Sequence, residues 1–116
     1  LSPKDIAVNV KNIIDLIRGN CPDTQIILMS TLPCIEALRD YHHVPGIRCN
    51  DLVEMIYQQY QEVICDSKTT LLWTFDDFVD ESKEAKVKYY QDGLHLNEEG
   101  YKHLTQILTP VIEKYL

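Results

Sequence analysis

The chain has 116 residues, enough for one domain and too few for two. Hydrophobic residues make up 45% and charged residues 25%, a globular composition rather than a disordered one. The formal net charge of -7 argues against nucleic-acid binding, which needs a basic footprint, and no apolar run approaches the roughly 20 residues of a membrane-spanning helix.

Ser2-Pro3-Lys4-Asp5 opens a first helix. Ser2 serves as its N-cap, Pro3 suits the first helical position, and Asp5 can reach back to complete a capping box. Ile6, Val10, Ile13, Ile14 and Ile17 follow at helical spacing, Gly19-Asn20 ends the helix, and Pro22-Asp23 turns the chain. Gln25 to Met29 is a nearly continuous apolar run and reads as a buried strand covered on both faces, as in a parallel sheet. Ser30 to Pro33 closes it. The stretch from Cys34 to Asn50 is irregular, broken by Pro45 and Gly46, with one or two helical turns expected between Ile35 and Tyr41. A loop of this length is more often functional than idle.

Asn50 or Asp51 caps a second helix, whose buried stripe is Leu52, Val53, Ile56, Tyr60, Val63 and Ile64. After the turn at Asp66-Ser67-Lys68, Thr70 to Phe75 reads as a second strand. Asp76 to Lys86 is acidic and reads as a solvated face with at most one helical turn. A last helix is expected from about Glu98 to Tyr115, capped by Asn97, with Glu98 and Glu99 in the first turn where negative charge is favoured. It buries Leu104, Ile107, Leu108, Val111 and Ile112, and Pro110 inside it predicts a bend. Strands that alternate with helices imply an α/β fold with a parallel sheet and right-handed crossovers.

Four cysteines, Cys21, Cys34, Cys49 and Cys65, are few for a disulfide scaffold, and none forms a CxxC pair of the kind that marks a zinc site. Free thiols are the favoured state. If one bridge forms, Cys34 to Cys49 would staple the long loop, at about 3 kcal/mol on the chain-entropy model. These two cysteines with His42-His43 could suggest a thiol nucleophile or a metal site, but solvated loop residues are the favoured reading. No metal or cofactor is expected. His103 falls on the polar side of the last helix and reads as surface, while Trp73 and Phe75 read as core.

The stretch with chemical character is Tyr90-Gln91-Asp92-Gly93-Leu94-His95-Leu96-Asn97-Glu98-Glu99-Gly100-Tyr101. It places an acid and a histidine three residues apart on a loop, where both side chains can turn to one side, which a straight strand would not allow. Histidine suits proton transfer because its ordinary pKa of about 6.5 lies near neutral pH. The bland alternative is a surface hydrogen bond in a helix-capping turn.

Asp92-Gly93-Leu94-His95-Leu96-Asn97, with Gly100-Tyr101 following, resembles the last conserved block of the SGNH (GDSL-type) esterases and lipases, an Asp-x-x-His motif just before the C-terminal helix. The capped helix at Ser2-Pro3-Lys4-Asp5, the strand end Met29-Ser30-Thr31-Leu32-Pro33 and the late Pro110 are similar to that family too. The resemblance covers the whole chain. It implies the C-terminal portion of a three-layer α/β/α, flavodoxin-like SGNH fold with a parallel sheet, residues 1–116 being one domain without its first strands. It also implies ester hydrolysis by a Ser-His-Asp triad, His95 matching the general base and Asp92 its orienting acid.

The family's Gly-Asp-Ser, oxyanion glycine and Gly-x-Asn-Asp blocks have no counterpart here. The serine and the oxyanion hole are therefore expected in an N-terminal portion of the same domain or in a complementing chain. Because loss of one oxyanion donor costs about 100- to 1000-fold, catalysis by these residues alone is not expected. Ser30 ends a strand but lacks the glycines of a nucleophile elbow and reads as a satisfied polar residue. The Leu32 to Asn50 loop, which follows a strand's C-terminal end, is the candidate wall for the acyl or alcohol pocket of a small-molecule ester. The competing reading is a non-catalytic interaction module or remnant of such a domain. Its open sheet edge would pair with a partner or with a second copy, so a homo-oligomer is one expected state of the isolated chain.

Overall fold

The computed structural model describes residues 2–38 and 49–116. The His42-His43 pair and the Pro45-Gly46 break lie outside the described residues. The elements run α1 (Pro3–Asn20), β1 (Ile26–Met29), α2 (Cys49–Val63), β2 (Thr69–Leu72) and α3 (Glu98–Glu113), with 3₁₀ turns at Glu36–Leu38, Phe75–Phe78 and Val87–Tyr89. This is the expected order of helix, strand, helix, strand, helix, and the α/β class is as read from the sequence. The chain divides into two compact units, Leu1–Ser30 with Asp51–Trp73 and Thr31–Asn50 with Thr74–Leu116.

In the first unit, α1 starts through the anticipated capping box. The Asp5 amide donates to Ser2 Oγ and the Ser2 amide donates to Asp5 Oδ2, both at 3.1 Å. These bonds satisfy donors that the first turn leaves without helical partners. Of the apolar positions on α1, Ile14 is buried along with Ala7, Ile6 and Val10 are half-buried, and Ile13, Leu16 and Ile17 are exposed.

β1 and β2 pair in parallel, from Ile26 opposite Thr69 to Met29 opposite Leu72. The ladder is extended at each end, where the Ile26 amide donates to the Lys68 carbonyl and the Ser30 amide to the Leu72 carbonyl. The first strand was expected to be covered on both faces, yet all four residues of β1 are half-buried, as are the four of β2. The sheet has two strands among the described residues, so each strand lies at an edge. β2 is also shorter than expected, because the chain turns into a 3₁₀ turn at Phe75.

Arg18 closes the α1–β1 turn. Its Nε and Nη2 bind the two oxygens of Asp66 at 3.1 and 2.7 Å, while Nη1 donates to the carbonyls of Cys21, Pro22 and Thr24. Tyr57 of α2 packs on Trp73 with ring centres 4.9 Å apart.

The second unit is built on Phe78, Ala85, Tyr89, Tyr90 and Leu96, with Leu32, Ile35, Leu104 and Ile107 against them. The acidic stretch is thus only half a solvated face. Asp76, Asp77, Asp80, Glu81 and Glu84 are exposed, while Phe78 and Val79 between them, and Phe75 and Ala85 on either side, are buried. α3 passes through Pro110 and ends at Glu113, two residues sooner than expected. His103 is not a free surface residue. Its ring stacks on Tyr89 at 4.5 Å, meets Phe78 edge-on at 5.0 Å, and Nε2 donates to the Asp77 carbonyl at 2.8 Å.

Candidate active site

The Tyr90–Tyr101 stretch is a loop pinned at its neck. Tyr90 and Leu96 form an isolated antiparallel bridge, and the Gln91 amide donates to the His95 carbonyl at 2.9 Å. Three residues, Asp92, Gly93 and Leu94, are left between the inner pair of ties. Gly93, at the tip, has φ 86°, a left-handed conformation that an L side chain would resist.

Inside the loop Asp92 organises three groups. Oδ1 accepts the main-chain N–H of Leu94 at 3.0 Å and of His95 at 2.7 Å, and Oδ2 lies 2.7 Å from His95 Nδ1. Bonds from the His95 amide, the His95 ring and the Leu94 amide hold the Asp92 carboxyl well below the usual range, at about 2. It is an anion throughout the neutral range. A carboxylate can only accept, so the His95 proton sits on Nδ1 and Nε2 is left as a proton acceptor. Both side chains are more than half exposed, so the imidazole is accessible from solvent.

Asn97 fixes the exit of the loop. Its Oδ1 accepts the Gly100 amide at 2.9 Å as the N-cap of α3, and its Nδ2 donates to the carbonyls of Lys88 at 2.7 Å and Tyr90 at 3.3 Å. Gly100 permits the crossing above it. A Cβ at that position would collide with the Tyr89 carbonyl oxygen and lie 3.0 Å from Leu96 Cβ.

A second set of bonds was not legible beforehand. The Ile35 amide donates to the Gly93 carbonyl at 2.8 Å, and the buried Tyr90 hydroxyl donates to the Pro33 carbonyl. Burial pushes the Tyr90 hydroxyl pKa upward, so it stays a donor. The Leu32–Leu38 segment is therefore tied to the loop that carries the dyad. Asn50 or Asp51 was expected to cap α2, which starts at Cys49. Asn50 instead lies in the helix's first turn, buried, with Oδ1 accepting the Cys34 amide and Nδ2 donating to the Cys34 carbonyl, both at 2.9 Å.

Ser30 is buried at a strand end, where its amide donates to the Leu72 carbonyl. Ser82, the single serine of the second unit, lies in the Asp80–Lys83 turn, where its amide donates to Asp80 Oδ1. None of the four cysteines is in a disulfide.

Solved structures of similar fold cover nearly all of this chain. A Streptococcus pneumonia protein described as a platelet activating factor matches 96% of it at 29% identity and a TM-score of 0.82. The chain has the SGNH/GDSL-type fold. A Bacteroides fragilis protein described as an acylhydrolase matches 99% of it, at 19% identity and a TM-score of 0.75. A GDSL-like lipase from Bacteroides thetaiotaomicron matches 97%, at 23% identity and a TM-score of 0.67. The chain spans about half the length of these structures, 52%, 53% and 54% respectively. No family model and no curated protein matches it. The family resemblance drawn from the Asp92–Tyr101 block, the capped first helix, the Met29–Pro33 strand end and Pro110 agrees with this fold over nearly the whole chain.

Proposed function

We propose that this chain is the C-terminal portion of an SGNH-type ester hydrolase and supplies its base and orienting acid. The observation that carries the reading is the Asp92–His95 contact, 2.7 Å between Oδ2 and Nδ1, on a loop braced at both ends. Neighbours described as an acylhydrolase and a lipase are consistent with ester chemistry.

On this reading each group has a task. A serine from outside these residues attacks the ester carbonyl, and His95 Nε2 takes its proton. Asp92 keeps the Nδ1 proton in place and stabilises the imidazolium that forms. The same proton passes from Nε2 to the departing alkoxide, leaving an acyl-serine, and a water activated in the same way releases the acid. The exposure of the imidazole suits a group that receives its partner from another part of the domain.

The test is hydrolysis of short-chain p-nitrophenyl esters by the intact domain containing these residues. Replacing His95 by alanine should cost at least about 10²- to 10⁴-fold in kcat/KM, the usual contribution of a positioned base. The exposed Ile13, Leu16 and Ile17 face of α1 favours a second reading, a non-catalytic module that docks on a partner or a second copy. Under that reading the intact domain would lack esterase activity.

A further inference from the structure

The long loop between β1 and α2 was read as solvated, with Cys34 and Cys49 as incidental thiols. The structure places them otherwise. Cys34 is buried, Cys49 is half-buried, and their sulphurs lie with a Glu36 carboxylate oxygen so that all three are within 4.8 Å of one another.

This cluster is held by its own scaffold. Asn50 grips the Cys34 main chain in both directions, and the Asn50 amide donates to Glu36 Oε1 at 2.6 Å. The other carboxylate oxygen, Glu36 Oε2, is buried and has no hydrogen-bond partner among the described residues. A buried carboxylate oxygen without a partner carries the full cost of its lost hydration, so it marks a place where a cation would sit.

From these observations we infer that Cys34, Glu36 and Cys49 form a binding site for a zinc-type divalent cation. Two sulphurs and one carboxylate are donors that zinc accepts. Bond lengths of about 2.3 Å to sulphur put two tetrahedral ligands about 3.8 Å apart, so the cluster needs at most a contraction of about 1 Å. A disulfide would need the two sulphurs to close to about 2.05 Å, a larger movement. On binding, both thiols lose their protons to solvent and coordinate as thiolates, and three protein donors leave a fourth position for water. The ion's role is structural. It fastens the segment whose Ile35 amide holds the Gly93 carbonyl at the tip of the Asp92–His95 loop. The site stands whether or not that loop is catalytic.

The test uses the reduced 116-residue chain, stripped with a chelator and titrated with Co²⁺ and then Zn²⁺. One Co²⁺ per chain should bind with thiolate-to-cobalt charge-transfer absorption and be displaced by Zn²⁺. Cys34 is buried and its replacement threatens folding, so Cys49→Ser and Glu36→Gln carry the experiment, with circular dichroism as the folding check. Each should weaken Zn²⁺ binding by about tenfold or more, and Cys21→Ser and Cys65→Ser should leave it unchanged. Independently, Zn²⁺ should slow alkylation of Cys49 in the unmodified chain and leave Cys21 as reactive as before. Absence of saturable binding, charge-transfer intensity and Co²⁺ affinity that are unchanged in Cys49→Ser, or bands that vanish in Cys21→Ser or Cys65→Ser, would overturn the assignment.

Discussion

Asp92 holds His95 with both of its oxygens. Oδ2 meets the ring at Nδ1 and Oδ1 takes the main-chain N–H, each at 2.7 Å. The residue that selects the tautomer therefore also fixes where the imidazole's backbone lies, and the two effects can be separated by experiment.

A carbon-detected NMR titration of the Asp92 carboxyl should give a midpoint near 2. In His95→Ala the side-chain bond is lost while the His95 and Leu94 amides still donate. The midpoint should then rise but stay below the ordinary 3.8. An unchanged midpoint would show that the ring does not engage the carboxylate.

The same shift links stability to acid. A carboxyl whose folded pKa is depressed contributes stability above its unfolded pKa and loses it as pH falls through the folded value. For Asp92 that window runs from about 4 down to about 2. The Tm difference between the unmodified chain and Asp92→Asn should shrink as pH falls from about 4 toward 2. Because the pair is exposed, the difference should also fall with added salt.

Gly100 and Gly19 make a matched pair. At Gly100 a methyl group would meet the Tyr89 carbonyl and Leu96, whereas nothing lies within 4 Å of a Cβ at Gly19 in α1. Gly100→Ala should cost about 1–3 kcal/mol by overpacking. Gly19→Ala should stabilise by up to about 1 kcal/mol through helix propensity. Chemical denaturation of the two variants checks both signs.

The elements that announce themselves locally were legible in the sequence. Ser2 with Asp5, Asn97 as a cap, and the apolar run at Ile26–Met29 each carry their own short-range chemistry, and each element forms where it was read, the strand half-buried rather than covered on both faces. Asp92 and His95 were legible for the same reason, since three residues and a tight loop bring them together. What escaped is set by distant partners. Asn50 was read as a cap because asparagine before an apolar stripe usually is one, yet its side chain serves Cys34, sixteen residues away. His103 lies on a polar helix face by spacing, and only the approach of Tyr89 and Phe78 makes it an aromatic neighbour. Phe78 was hidden in an acidic stretch whose charges outnumber its apolar residues. The strands' partial exposure follows from how many strands pair with them, which periodicity does not report.

Asn97 should be worth more than an ordinary cap. Asn97→Ala loses the bond to the Gly100 amide, at about 0.5–2 kcal/mol, and also the donors to the Lys88 and Tyr90 carbonyls. Asn97→Asp keeps the cap and loses only those donors. Urea denaturation should rank the unmodified chain above Asn97→Asp and Asn97→Asp above Asn97→Ala, and hydrogen exchange of the 91–95 amides should accelerate in the same order.

The most direct test is the rate of p-nitrophenyl ester hydrolysis by the intact domain with His95 replaced. A dyad that supplies the base predicts a fall in kcat/KM of at least about 10²- to 10⁴-fold for His95→Ala. Asp92→Asn, which leaves the ring in place and removes the anion that fixes its tautomer, should lose on the order of 10⁴-fold. Full activity in a folded His95→Ala domain would contradict the assignment.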